Sequence, residues 1–283
     1  MQTAFKFAVA AGLVVVGAAM AADAPKSRAP TAADYAALAK LPDWSGVWEP
    51  DWRGEHRAIE ARAGGAPGGA RVGGPPAGDA RGGSAPAGGA RFGGRGGGPQ
   101  LTPEFQAKMA ANPPARGGAG SGANCVPPGL PGIMTQPYPI EFLITPGKIG
   151  ILIEAYMQFR HVFTDGRPHP ADPDPTYMGH SIGHWEGDTL VVDSVGFNDS
   201  IKIGGRYPHS DQMHIVERIR RVDKDWMQIQ TTTIDPEVLA EPITTTNWYK
   251  HLDDEIREYI CLENNHDSVD ENGQPGFSTE NQK

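Results

Sequence analysis

The chain has 283 residues and a net charge of −9, with 37 glycines and 26 prolines. The acidity is concentrated in residues 124–283, which hold 12 basic and 25 acidic side chains, a net charge of −13. That balance argues against nucleic acid as a partner. No segment approaches the roughly 18 apolar residues of a spanning helix.

In chain order, residues 1–21 read as a signal peptide. Lys6 starts a short charged region, Phe7 to Ala18 is apolar, and Ala19-Met20-Ala21 offers a small-x-small cleavage site. The mature chain is therefore expected to be secreted or periplasmic. Residues 22–62 form an N-terminal extension. Tyr35 to Leu41 predict a short helix, and Leu41 to Glu49 predict a turn leading into a first strand. Trp44 and Trp48 are expected to pack into the core. Residues 63–123 are a Gly/Ala/Pro/Arg-rich linker or insert, in which 6 basic and 2 acidic groups give a net charge of +4. Such composition buries too little apolar surface to offset its ordering entropy, so flexibility is expected. Within it, residues 101–111 predict an amphipathic helix.

From Cys125 the chain changes character. Ile140–Thr145, Ile149–Phe163, Ser181–Trp185, Thr189–Ser194, His214–Val222, Met227–Ile234, Ile243–Lys250 and Ile256–Cys261 read as strands, rich in β-branched and aromatic residues. Tight-turn signals at Pro146-Gly147-Lys148, Glu186-Gly187-Asp188 and Asp223-Lys224-Asp225 predict hairpins. The expected fold is mostly β: a small antiparallel, lipocalin-like barrel over 124–263, wide enough for one small ligand, with a polar tail at 264–283. Cys125 and Cys261 are expected to form a disulfide, because an isolated pair in an oxidising compartment usually does.

The chemistry concentrates around Gly179–Asp193. His180 and His184 lie four residues apart on a strand, so they share a face but stand about 13 Å apart, too far to bind one metal without a bulge. No metal motif of the usual spacing is present, and none is assigned. His180 can instead pair with His169 or His209 from loops. The Pro-rich run Pro168 to Pro175 is expected to be a loop over one mouth of the barrel. Arg160, Asp165 and Arg167 flank a turn, and an arginine beside a carboxylate can hold an anionic oxygen. Strand alternation places Tyr156 and Arg160 on one face and Phe159, His161 and Phe163 on the other. Glu217 and Arg218 fall on opposite faces of their strand, and a cross-strand Glu217–Arg160 ion pair is the structural alternative to a polar cavity.

Leu41 to Trp48, Glu141 to Gly147, Asp165-Gly166-Arg167, Gly179–Asp193, His209-Ser210, Glu217-Arg218 and Glu258 to Cys261 together resemble a largely uncharacterised family of exported proteobacterial proteins. Some of its members are associated with secreted, cofactor-free cleavage of lignin-type β-aryl ethers. The resemblance implies an acid–base lyase or hydrolase acting on a small aromatic substrate without a cofactor. It assigns Arg160, Asp165, His169, His180, His209, Glu217 and Arg218 to functional positions, whereas His184 departs from the pattern. Tyr156, Tyr177 and Trp185 are expected as aromatic walls. The alternatives are a lipocalin-like carrier of a small ligand and a metal-dependent hydrolase.

Overall fold

A computed structural model describes residues 29–62, 98–111 and 125–261, with two short strands at 267–269 and 275–277. The signal-peptide region, the Gly-rich segment 63–97 and most of the polar tail lie outside the described residues. The tail residues that are described pair Asp267–Val269 with Pro275–Phe277.

Nine strands close into a barrel. In chain order they are β1 (Val47–Pro50), β2 (Ile140–Thr145), β3 (Lys148–Ile153), β4 (Gln158–Phe163), β5 (His180–Glu186), β6 (Thr189–Val195), β7 (His214–Arg221), β8 (Trp226–Ile234) and β9 (Ile243–Leu252). Around the barrel the order is β1-β9-β8-β7-β6-β5-β4-β3-β2. Every neighbouring pair is antiparallel except β4 and β5, which run parallel with Val162 opposite Ser181. An odd ring cannot alternate direction all the way round, so one parallel pair is a necessity of counting. The chain builds it with the long crossover 164–179, where four prolines keep the backbone out of the sheet. Its middle rests on Gly196, where an added Cβ would come within 2.8 Å of Pro173.

Three expectations are corrected. The run 149–163 is two strands, split where Tyr156 and Met157 take left-handed conformations at φ 57° and 48°. Neither residue is a turn former, so the break carries no sequence signal. Ile256–Cys261 is irregular. It is held by the Cys125–Cys261 disulfide and by Tyr259, whose ring meets Tyr138 at 5.1 Å and Tyr156 at 5.5 Å. The barrel is also not confined to 124–263, because β1 from the N-terminal extension joins β2 to β9 and closes it.

Alternation then sorts the side chains. Ile140, Phe142, Ile149, Ile151, Ile153, Val162, Leu190, Val192, Ile215, Ile219, Met227 and Ile229 point inward and are buried. Trp44 caps this core, its ring 5.0 Å from both Phe142 and Trp185. The segment 101–111 is a helix over Pro103–Ala111 that buries Phe105, anchored by a bridge between Leu101 and Leu239.

Candidate functional site

The predicted site residues divide between the two sides of the barrel wall. Arg160 and Glu217 are brought together, but inside. Their side chains are fully buried and meet at 2.5 Å, Nη2 to Oε2. Arg160 also donates to Ser181 Oγ at 3.2 Å and to Ser194 Oγ at 2.8 Å. Glu217 sits opposite Thr231 in the β7–β8 register. The cross-strand Glu217–Arg160 ion pair is therefore present, as a core element. Sealed there, neither residue reaches a small molecule outside, which corrects Arg160 as an oxyanion stabiliser. The interior is filled by this network and the isoleucines around it, which also corrects the expected ligand space within the barrel.

His209 belongs elsewhere. Its ring nitrogens lie 2.9 Å from the carbonyl oxygens of Ser210 and Asn198, and it lines a separate cavity of about 560 Å³ beside the Pro103–Ala111 helix. Arg218 points outward and donates to Glu186 at 2.8 Å. His184, also outward, lies 3.3 Å from the same carboxylate. Trp185 packs on Trp44 and Tyr156 on Tyr259.

His169, His180 and Tyr177 do converge, on the outer face of β4, β5 and β6. A groove of about 480 Å³ runs between this face and the crossover loop, lined by Phe159, His161, Phe163, Pro173, Tyr177 and His180 among others. Its floor is a succession of rings. Phe159 meets His161 edge-on at 4.7 Å, His161 and Phe163 are nearly parallel at 6.3 Å, and Phe163 stacks on His180 at 5.3 Å. Arg167 lies over Phe163 at 4.1 Å and is held by Asp165 through Nε at 2.9 Å and Nη2 at 2.6 Å. Asp165 is thus a partner of Arg167 at the rim, and that guanidinium holds its carboxyl below the usual carboxylate range.

His180 and His169 face each other through Nδ1 at 2.9 Å. Of the two loop histidines considered as partners for His180, His169 is the one present. On the far side of His169, Nε2 lies 3.5 Å from Asp193 Oδ2, and Oδ1 of the same carboxylate lies 3.2 Å from His214 Nδ1. Burial lowers the pKa of His169, against the pull of Asp193, so its neutral form is favoured. Burial lowers His180 too, with His169 and Arg167 adding to the effect. For His161, burial and then the charge of Lys148 act in the same direction.

Two neutral imidazoles in contact share one proton between their facing nitrogens. Asp193 favours the His169 proton on Nε2, which leaves His169 Nδ1 as acceptor and His180 Nδ1–H as donor. The other nitrogen of His180, a residue of the groove wall, then carries a free lone pair. That is the protonation state of a general base.

Asp193, His214, His161 and Phe163 were not singled out as site residues. Alternation was the available signal. Asp193 is opposite Ile182 in the β5–β6 register and Val216 in the β6–β7 register, so His180, Asp193 and His214 share one outward face. Among the described residues no group of three or more His, Cys, Asp or Glu is arranged to hold a metal ion, and no helix is long and apolar enough to cross a membrane. Comparison of the chain with protein-family models, curated proteins and solved structures finds no match.

Proposed function

We propose that this protein is an exported acid–base enzyme that cleaves a C–O bond, of the aryl ether type, in a small aromatic compound. The observation that carries the reading is the neutral His169–His180 pair, set by Asp193 and opening on a ring-lined groove. The groove volume suits a molecule of one or two aromatic rings, and Phe159, Phe163 and Tyr177 offer faces and edges for stacking. The disulfide is compatible with an oxidising compartment.

The step is an elimination. His180 Nε2 removes a proton from the carbon next to the ether carbon. The C–H electron pair becomes the new π bond, the C–O bond breaks, and the aryl oxide leaves with its electron pair. Arg167, fixed at the rim by Asp165, stabilises that developing oxyanion. The proton held by the histidine pair neutralises the leaving oxygen, so no oxidant or reductant is consumed.

The test is chromatography of phenol released from β-aryl ether dimers by the purified chain. Wild type is expected to release phenol, and His180→Ala is expected to lose about 100-fold or more in rate, the usual contribution of a positioned base. Absence of release from every dimer, or full activity in His180→Ala, contradicts the reading.

A further inference from the structure

His180, His169, Asp193 and His214 form a line from the groove wall to an exposed side chain. We infer that this line is a proton relay, in which Asp193 positions His169 and His214 exchanges the proton with solvent. The inference rests on the proposed base role of His180 and extends it.

Each imidazole in the line has one nitrogen toward each neighbour, as transfer through a ring requires. When His180 Nε2 takes a proton from substrate, its Nδ1 proton passes to His169 Nδ1 across 2.9 Å. His169, now protonated on both nitrogens, can give up its Nε2 proton toward Asp193. From the other oxygen of that carboxylate, His214 Nδ1 is 3.2 Å away. His214 is 46% exposed as a side chain and can release its second ring proton to water. Protons are conserved at every step, and each ring ends as the alternate neutral tautomer until the reverse flow resets it.

One gap interrupts the line. His169 Nε2 is buried without a hydrogen-bond partner, and its 3.5 Å separation from Asp193 is beyond an ordinary N–H···O bond. A buried donor left unpaired is costly, so this geometry needs a reason. Neutral His169 attracts the carboxylate weakly, whereas the imidazolium formed after proton transfer would draw it in as a charge-assisted bond, typically about 2.7 to 2.9 Å. The relay therefore engages once the pair has accepted a proton. The charged groups around it are Arg167 beside His180, Lys148 beside His161, and Asp165 on Arg167.

Two measurements test this. In the first, turnover on an aryl ether dimer is followed at low buffer concentration in wild type and His214→Ala. The substitution is on an exposed side chain, so folding should persist. The expected result is a rate lowered by about tenfold or more, restored by millimolar imidazole in solution, with wild type insensitive to imidazole. Equal rates in the two proteins at low buffer, or a loss that imidazole does not restore, overturn the relay.

The second measurement needs no substrate. Nitrogen-15 NMR of the histidine rings in the full chain reads their tautomers directly. The relay predicts the proton on Nδ1 of His180 and on Nε2 of His169, with Asp193→Asn lowering the titration midpoint of His169. A His180 ring protonated on Nε2, or an unmoved His169 midpoint, overturns it. A protein that cleaves no ether yet shows these tautomers and this shift retains the relay and loses the proposed reaction, so the two failures are distinguishable.

Discussion

The two sides of the barrel wall carry the same residue types to opposite ends. Inside, Arg160 and Glu217 form an ion pair with no exposure, braced by Ser181 and Ser194. Outside, Arg167 and Asp165 form an equally close pair with about a fifth to a quarter of each side chain exposed, next to two histidines kept neutral by burial. The inner pair fixes the arrangement of four strands and touches only protein. The outer set is half-buried, adjoins a groove and has a nitrogen lone pair to offer. Residue type therefore says little about role here, and the side of the wall decides it.

The largest expected effects are on stability. Opening the Cys125–Cys261 bond, which spans a sequence separation of 136 residues, should lower stability by about 5 kcal/mol in the chain-entropy model, read as a fall in the denaturation midpoint of Cys125→Ser/Cys261→Ser. Next is Glu217→Ala, which leaves Arg160 charged and buried. A loss of about 3 to 5 kcal/mol in chemical denaturation is expected. Replacing the pair together, as Arg160→Met/Glu217→Leu, should recover much of that loss. If Glu217→Ala is instead neutral, the inner pair does not hold the wall.

The outer set should behave in reverse. His169→Ala is expected to cost about 100-fold in phenol release while moving the melting temperature by only a few degrees. The pH dependence follows from the depressed folded-state values of His169 and His180. As pH falls below the ordinary histidine value of about 6.5, the unfolded chain takes up protons before the native chain does, so stability falls from that point down to the folded values. The base stays neutral over the same window, so the acid limb of the rate profile should lie below about pH 6.5. A limb above it would mean the histidines are not held neutral. The smallest effect is expected from Arg218→Ala, which removes an exposed ion pair with Glu186 and should change stability by less than about 1 kcal/mol.

Much of the fold was legible because strand alternation and turn residues are local signals. The hairpin at Glu186-Gly187-Asp188, with Gly187 at φ 60°, is written in its sequence. The turn at Tyr156-Met157 is not, since tertiary packing imposes left-handed backbone on residues that do not favour it. The site was legible in part. The His180–His169 partnership followed from face and loop position. The separation of Arg160 from His180 depends on which face of β4 and β5 turns inward. One face of β4 carries Gln158, Arg160 and Val162 and the other Phe159, His161 and Phe163, so neither face is cleanly apolar and the pattern alone does not decide it. Asp193 was hidden inside a run of apolar neighbours, Leu190 to Val192, and emerges only from the register of β5, β6 and β7.

Under the proposed function, ligand binds on the outer wall and not inside the barrel. This placement is tested most directly by NMR of the full chain titrated with an aryl ether dimer, following the ring signals of His161, Phe163 and His180 against those of Trp48 and Tyr249. Shifts confined to the first three, with Trp48 and Tyr249 unchanged, are predicted. Shifts at Trp48 and Tyr249 with silent groove histidines would place the ligand in the interior and contradict the account.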